Sequence, residues 1–303
     1  MKIVIIGGTG VIGSVVCQTL KKRGDEILLI SRNAESAKSK KILADNYFTW
    51  DYKSIEKLIP KINGFEALIN LSGTPIAGKR WNKKYMEEIR NSRVNTTSLL
   101  TDAICKCNKK PNVFISASAA GYYGNRGEII LTEDSSAGND FLSNVCVEWE
   151  NASEKVTDEN VRLVLIRTGI VLTKKGGAFK KMLLPFKLFL GGPLGNGKQW
   201  FPWIHIYDEV NAIVFALENI KINGPLNLTA PTSIRMNNFS KALGKVLRRP
   251  SFFKVPKFVL RIVVGKIADN LVLSQRVYPQ KLIDNEFQFQ YDTIDKALED
   301  LVK

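Results

Sequence analysis

The first thirteen residues carry glycines at spacings that suit the binding of a pyrophosphate. An apolar run at 2–6 leads into the turn 7–13, Gly-Gly-Thr-Gly-Val-Ile-Gly, and a helix-like segment follows at 14–23. Because glycine has no side chain, backbone N–H groups at the start of such a helix can approach a pyrophosphate closely. The turn fits G-x-G-x-x-G from Gly8 and G-x-x-G-x-x-G from Gly7. We predict a dinucleotide-binding turn rather than a purely structural one. The predicted cofactor contacts are Gly7, Thr9, Gly10, Val11, Ile12 and Gly13.

The end of the second apolar run indicates which dinucleotide is bound. This run ends at Ile30 and is followed by Ser31 and Arg32. An NAD-selective site usually has an acidic residue here, which accepts from the ribose 2′-hydroxyl, whereas an arginine can pair with the 2′-phosphate of NADP. Such a charge-assisted hydrogen bond contributes roughly 1.5–3 kcal/mol. The pair therefore favours NADP(H) as the cofactor, the alternative being a chance pair on the surface.

Further candidates for cofactor contacts follow along the chain. Asp51 comes after a third strand-like run and could either meet the adenine amine or cap the start of a helix. A fourth run ends in Asn-Leu-Ser-Gly at 70–73, where a parallel sheet presents its ligand loops. The contacts predicted in this loop are Leu71, Ser72 and Gly73. Arg90 and Arg93 lie on one predicted helical face and could contact cofactor phosphate or bridge helices. We take Arg93 as the cofactor contact.

Strand-like runs alternate with helical patterns through the first half of the chain. Strands are predicted at 2–6, 26–30, 47–50, 67–71, 113–116 and 161–166, and helices at 14–23, 82–107 and 142–159. This alternation implies right-handed crossovers and a parallel sheet covered on both faces. The predicted fold class is α/β, a Rossmann-type doubly wound parallel sheet with a smaller, discontinuous C-terminal substrate region.

The pattern changes after about residue 170, where glycine-rich loops replace the regular alternation. We divide the chain into an NADP-binding domain at 1–170, with later segments rejoining its sheet, substrate-side loops and helices at 171–249, and a C-terminal extension at 250–303. Within the extension, the apolar stretch 255–273 is interrupted by charged residues, which predicts a solvated amphipathic helix.

The composition excludes several classes of function. No apolar run approaches the ~18 residues of a membrane span, and an apolar strand begins at residue 3, so we expect a cytoplasmic protein without a targeting segment. The four cysteines lack zinc-site spacing and there is one histidine, so we predict no metal. The net charge of +15 is scattered and not interleaved with aromatic residues, so we predict no specific nucleic-acid partner. Monomer and homodimer both remain open.

Several motifs recur in one order along the chain. Besides the glycine turn, they include Asn-Leu-Ser-Gly at 70–73 and Ser-Ala-Ser-Ala-Ala-Gly-Tyr-Tyr-Gly at 116–124. Others lie at 77–81, 89–93, 131–134, 145–150, 167–172, 191–195, 199–206 and 227–231. Together they resemble the extended short-chain dehydrogenase/reductase superfamily, of the nucleotide-sugar epimerase type. More closely, the chain is similar over essentially its whole length to an atypical branch of NAD(P)-dependent epimerase-like proteins with a small C-terminal extension.

The resemblance implies a catalytic serine or threonine, a tyrosine acid/base and a lysine four residues after it. Ser118 stands at the serine position, with Ser116 as the less favoured register. Where the superfamily has Tyr-x-x-x-Lys, this chain has Cys146 and Glu150. A nearby carboxylate raises the pKa of a thiol, so Cys146 is expected to be a poor substitute for an activated tyrosine.

This departure leaves proton transfer to other residues. Glu150 could accept a hydrogen bond from the nicotinamide ribose or carboxamide, which makes it a candidate cofactor contact. In an enzyme, Tyr122, Tyr123 or Glu150 must move the proton; otherwise both tyrosines are packing residues. The candidate catalytic residues are therefore Ser118, Tyr122 and Glu150.

Two functions remain after these considerations. The first is an NADP(H)-binding epimerase-like or oxidoreductase-like enzyme that transfers hydride to or from a carbonyl or hydroxyl of a small-molecule substrate. The second is a non-catalytic protein that binds NADP(H) structurally or as a redox sensor. The missing tyrosine and lysine favour the second, whereas Ser118 favours the first.

Overall fold

A parallel β-sheet forms the centre of the protein. The computed structural model describes residues 1–262 and 265–302, and the backbone of residues 263 and 264. The strands are β1 (Lys2–Ile6), β2 (Glu26–Ser31), β3 (Asn46–Thr49), β4 (Ala67–Asn70), β5 (Val113–Ala119), β6 (Ile130–Leu131), β7 (Arg162–Thr168), β8 (Ile170–Leu172), β9 (Trp200–Phe201), β10 (Trp203–His205), β11 (Gly224–Leu228), β12 (Ile234–Arg235) and β13 (Arg276–Val277).

Helices connect most of these strands. They are α1 (Val11–Arg23), α2 (Ala34–Ser39), α3 (Ile59–Ile62), α4 (Lys83–Cys105), α5 (Phe141–Asn151), α6 (Gly177–Lys187), α7 (Ile206–Glu218), α8 (Met236–Leu247), α9 (Lys257–Val264), α10 (Ala268–Leu271), α11 (Gln280–Asp284) and α12 (Ile294–Val302). Short 3₁₀ helices span Ala120–Tyr123 and Glu154–Glu159. No helix in the described part of the chain combines the length and apolarity needed to cross a membrane.

The central sheet has seven strands in the order β11-β7-β5-β4-β1-β2-β3, and all neighbouring pairs are parallel. This arrangement confirms the predicted α/β class and the doubly wound parallel sheet. The strand order reverses between β1 and β4, so the loops after these two strands flank a crevice at the carboxyl edge of the sheet. Ligands of open α/β sheets bind in such crevices.

Both faces of the sheet are buried, as continuous apolar strands require. On one face, Ile5 and Ile166 pack against α1 and α7. On the other, Ile6 and Leu165 pack against α4. Because side chains alternate along a strand, Ser118 of β5 and Arg167 of β7 point to the face of the sheet that α4 and α5 cover.

Two predicted helices are interrupted. The helix predicted at 142–159 ends at Asn151, where α5 stops and a 3₁₀ helix follows. The Ser153 hydroxyl donates to the Glu150 carbonyl at 2.7 Å, a local bond that competes with helix continuation. The single amphipathic helix predicted at 255–273 is likewise wrong. Gly265, with φ +76, separates α9 from α10.

A second apolar core lies outside the central sheet. It joins α6, α8 and α12, with Phe179, Phe239 and Leu298 among its fully buried members. The small pairs β8–β10 and β9–β12 border it. The chain from about 170 onward therefore supplies this core, while β11 adds the last strand to the central sheet. The domain boundaries at 170 and 249 stay a prediction.

Candidate functional site

The glycine turn between β1 and α1 is tightly packed. Gly7 has φ +83, and a Cβ placed on it would lie 2.5 Å from the Leu71 carbonyl carbon. A Cβ on Gly13 would lie 2.4 Å from the Gly7 carbonyl oxygen. Gly10 is the N-cap of α1, and no side chain accepts a hydrogen bond from the first N–H groups of this helix. The N-terminus of α1 is therefore open to an anion. Of the other predicted contacts, Thr9 is exposed, and the half-buried residues are Val11 and Ile12.

The end of β2 carries the residues predicted to bind the 2′-phosphate. Arg32 is exposed and has no hydrogen-bond or ion-pair partner within the described residues. Ser31 is buried, and its hydroxyl accepts from the Asn33 N–H at 3.3 Å. Burial raises the pKa of Tyr52 to about 12, partly offset by the nearby charge of Arg32. A cation thus lies beside an aromatic side chain at the edge of the crevice.

Asp51 caps a turn rather than a helix. Its Oδ1 accepts from the backbone N–H groups of Lys53 and Ser54, at 2.9 and 3.4 Å, and these bonds lower the pKa of its carboxyl. No helix begins at this position, so the expected N-cap alternative is wrong. Contact with the adenine amine stays a prediction.

The loop after β4 holds a buried arginine. Arg93 of α4 is 9% exposed, and its Nη1 donates to the carbonyls of Thr74 and Ile89, each at 3.0 Å. A Cβ on Gly73 would lie 3.2 Å from the Arg93 Cζ, so the loop backbone rests directly on the guanidinium. Burial lowers the pKa of Arg93, and it forms no ion pair among the described residues. Arg90, by contrast, pairs with Glu148 on the surface.

The predicted catalytic residues Ser118 and Glu150 are in direct contact. Ser118 Oγ donates to Glu150 Oε1 at 2.6 Å, and both side chains are buried. Arg167 at the end of β7 donates to both carboxylate oxygens of Glu150, from Nε and Nη2, each at 2.9 Å. Glu150 is therefore held by two partners inside the protein and is not a free carboxylate facing the crevice.

The two tyrosines at 122 and 123 have different roles. Tyr123 is fully buried; its hydroxyl donates to Asn227 Oδ1 at 2.7 Å and accepts from Arg167 at 3.0 Å. Burial raises the pKa of Tyr123 to about 12. Tyr122 is half-buried, and the guanidinium of Arg167 stacks on its ring, with Cζ 3.5 Å from the centroid. Tyr122 is thus the tyrosine whose side chain retains access to solvent.

Cys146 is buried against the same cluster. Burial, with a smaller contribution from Glu150, raises the pKa of its thiol to about 12. The direction agrees with the expectation from sequence, although desolvation is the larger cause. A thiol with its pKa raised in this way holds little thiolate at neutral pH, which makes Cys146 a poor substitute for an activated tyrosine.

Arg167 is the central residue that the sequence interpretation did not select. It contacts Glu150, Tyr122 and Tyr123 and donates to the Glu133 carbonyl at 3.1 Å. The available signal was the position of Arg167 directly after the predicted strand 161–166, at the edge where a parallel sheet presents its ligand loops. The described residues contain no cluster of histidine, cysteine and carboxylate groups that could hold a metal ion.

A cavity of about 790 Å³ lies between the loop that leads into α4 and the segment of α9 and α10. Its lining includes the cations Arg80, Arg261 and Lys266 and one carboxylate, Asp269. Trp81, one of the lining residues, makes an edge contact with Phe141 of α5, with ring centroids 5.6 Å apart. The lining is rich in positive charge.

The sheet order and the glycine turn at its carboxyl edge define a Rossmann-type dinucleotide-binding fold. The sequence profile of the NAD dependent epimerase/dehydratase family matches residues 3–163, and the profile of a domain of unknown function, DUF1731, matches residues 255–301. The chain belongs to the NAD dependent epimerase/dehydratase family, which confirms the resemblance drawn from its motifs.

Individual relatives match over the full length. The epimerase family protein SDR39U1 of Mus musculus is 39% identical over 306 residues, covering 100% of both chains. The epimerase family protein SA0724 of Staphylococcus aureus (strain N315) is 35% identical over 300 residues, covering 99% of this chain and 98% of the relative. The crystal structure of human epimerase family protein SDR39U1 (isoform 2) with NADPH has a TM-score of 0.89 and 34% identity, and the match covers 100% of this chain and 99% of the human one.

Proposed function

We propose that this protein binds NADP(H) in the crevice at the carboxyl edge of the sheet. The uncapped glycine turn at α1 and the free guanidinium of Arg32 support the proposal, because the first suits a pyrophosphate and the second a 2′-phosphate. The human relative, similar over its whole length, was crystallised with NADPH.

The residues present fit such a cofactor. The backbone N–H groups of Val11 and Ile12 would hold the pyrophosphate, since the Gly10 N–H already donates to the Gly7 carbonyl at 3.0 Å. Ser31 and Arg32 would hold the 2′-phosphate. The adenine amine would meet Asp51. The loop of Leu71, Ser72 and Gly73 packs against the glycine turn, and Arg93 beneath it would face the cofactor with its remaining N–H groups.

We further infer an oxidoreductase or epimerase that acts on a carbonyl or hydroxyl of a small molecule. One observation carries this inference: Glu150 and Tyr122 both contact Arg167, and Ser118 donates to Glu150, at the carboxyl ends of β5 and β7. Groups able to handle a proton therefore lie together at the edge of the sheet where the cofactor would bind.

The roles of these residues follow from their contacts. Bound NADPH would supply the hydride, or NADP⁺ would accept it. Because the Ser118 proton is directed to Glu150, the Ser118 oxygen keeps its lone pairs for a substrate hydroxyl. The Tyr122 hydroxyl would give the proton to the substrate oxygen or take it away. Arg167 would hold the Tyr122 ring in place by stacking.

A second function is favoured by a different observation. Ser118 and Glu150 already satisfy each other, and the Cys146 thiol is held neutral. Such a site could bind NADP(H) without turnover and report its redox state through the bound cofactor.

Calorimetry with NADPH and NADH tests the cofactor proposal. We expect NADPH to bind at least about tenfold more tightly, and Arg32→Ala to remove most of that preference. Lys40→Ala, which removes another exposed cation of the same region, is the matched control and should keep it. Equal wild-type affinities for the two cofactors would refute the proposed role of Arg32.

A further inference from the structure

Two exposed apolar segments lie on the C-terminal half of the protein. The first covers the end of α6 and the residues after it, and the second leads into α9 and includes part of that helix. They supply eight of the fifteen large apolar side chains that are exposed among the described residues. In the first segment these are Leu184, Leu188, Phe189 and Leu190, and in the second they are Phe252, Phe253, Phe258 and Ile262. Monomeric proteins rarely leave such groups together without a partner.

Backbone contacts hold the two segments side by side. The Phe253 N–H donates to the Gly191 carbonyl at 3.1 Å, and the Val255 N–H donates to the Pro193 carbonyl at 3.0 Å. The guanidinium of Arg249 covers the ring of Phe189, with Cζ 4.2 Å from its centroid. We call the surface formed by residues 184–190 and 248–262 the apolar–basic face.

The charge of this face has one sign. Neither segment contains an aspartate or a glutamate. Lys257 and Arg261 pair with the carboxylate of Asp269, which lies outside the face. The cations of the face that form no ion pair in the described part of the chain are Lys187, Arg248, Arg249 and Lys254. An anionic partner would therefore gain electrostatic attraction over the whole surface.

The backbone of Phe189 is strained. Its φ is +63, a conformation that is costly for a bulky residue, and its ring remains 54% exposed. At this strained position an aromatic side chain lies outside the apolar cores of the protein and buries little apolar area.

We propose that the apolar–basic face docks on the surface of a membrane rich in anionic lipids. On α9, Phe258 and Ile262 are one helical turn apart and are 65% and 69% exposed, so they share one outward side. Apolar side chains that enter the acyl boundary, beside cations that meet the headgroups, are the features of peripheral membrane binding.

A second copy of the chain fits this face less well. A symmetric dimer brings the same patch together from both subunits, so the cations of one copy would oppose those of the other. Desolvating like charges across an interface is unfavourable. An anionic lipid surface meets the same cations with opposite charge, and it also accepts the apolar side chains.

Co-sedimentation with lipid vesicles tests the proposal on the full chain. We expect binding to vesicles of equal parts phosphatidylglycerol and phosphatidylcholine, loss of binding in high salt, and no binding to pure phosphatidylcholine. The double variant F258S/I262S should bind at least about tenfold more weakly, because both apolar side chains are lost. Ile220→Ser, which removes an 81% exposed isoleucine outside the face, should bind like the wild type.

Three results would overturn the proposal. The first is no binding of the wild type to anionic vesicles at low salt. The second is equal weakening by Ile220→Ser and by F258S/I262S. The third is a dimer, detected by light scattering, that F258S/I262S dissociates while vesicle binding is unchanged. Because the replaced side chains are exposed, we expect each variant to keep the fold. Circular dichroism of each variant checks this expectation.

Discussion

Arg167 and Glu150 form a bidentate ion pair inside the protein, with Nε and Nη2 of the arginine 2.9 Å from the two carboxylate oxygens. The pair joins β7 to α5, and both side chains are almost completely shielded from solvent. Glu150 stands where the resemblance predicts a lysine. A cation is nevertheless present in this site: Arg167 extends into it from β7, whereas the predicted lysine would extend from α5.

Removing the carboxylate of this pair should destabilise the fold. Glu150→Ala leaves the Arg167 charge buried without its partner, a loss that costs about 3–5 kcal/mol. We expect the free energy of unfolding, measured in urea, to fall by this amount. Glu148→Ala on the same helix, where the partner Arg90 is on the surface, should cost less than about 1 kcal/mol. Equal losses in the two variants would contradict the assigned importance of the buried pair.

Two glycines of the turn should separate binding from folding. A Cβ on Gly10 would lie 3.2 Å from the Gly7 carbonyl oxygen, so Gly10→Val requires only a small shift. At Gly13 the corresponding distance is 2.4 Å, and Gly13→Val must move the backbone. We expect Gly10→Val to lose NADPH binding in calorimetry while its far-UV dichroism stays near native, and Gly13→Val to lower Tm. A folded Gly10→Val that binds NADPH normally would mean that the turn is only structural.

The proton transfer can be assigned by comparing two variants. NADPH consumption is measured across a panel of carbonyl compounds. If the protein is an enzyme, Tyr122→Phe should reduce turnover by at least about a hundredfold and leave NADPH affinity unchanged, because the phenyl ring still stacks on Arg167. Cys146→Ala should change turnover little, since burial keeps the thiol neutral. Loss of turnover in Cys146→Ala alone would instead make the cysteine the replacement for the missing tyrosine.

Ser118→Ala distinguishes an enzyme from a non-catalytic protein. The serine donates to Glu150 and is not one of the predicted cofactor contacts, so its removal should leave NADPH affinity near the wild-type value. In an enzyme, the same variant should lose turnover because nothing then orients the substrate oxygen. If the wild type reduces no compound of the panel and Ser118→Ala binds NADPH normally, the sensor function gains support.

Glu209 should make stability depend on pH. Burial raises the pKa of this carboxyl from 4.5 to about 8, although Thr168 donates to it at 2.8 Å. The folded protein therefore retains a proton that the unfolded chain releases, so stability present below about pH 4.5 is lost as the pH rises through 8. The full loss is roughly 3–5 kcal/mol. Glu209→Gln cannot ionise, and urea unfolding at acidic and alkaline pH should show a flatter profile than the wild type. An unchanged profile would mean that Glu209 is not the group responsible.

Local sequence determined the elements that form the glycine turn at the carboxyl edge of the sheet. The strand Lys2–Ile6, the glycine turn after it and helix α1 are contiguous, so apolar runs and glycine positions are sufficient to predict them. Strand alternation with helices likewise predicted a parallel sheet, because only a crossover connection can join parallel neighbours. Helix ends were less predictable. Where α5 gives way to a 3₁₀ helix, the Ser153 hydroxyl donates to the Glu150 carbonyl, a local bond that competes with helix continuation.

Tertiary structure alone decided the chemistry around Ser118. Its partner Glu150 is 32 residues away, and Arg167 is a further 17 residues along the chain. No local spacing rule reaches across those distances. No local pattern assigns different surroundings to Tyr122 and Tyr123, whereas packing buried the Tyr123 hydroxyl against Asn227 and left Tyr122 half-buried. The physical reason is that contacts between side chains on different strands and helices depend on strand pairing and on the direction of each side chain from its backbone, and these are defined only when the sheet has assembled.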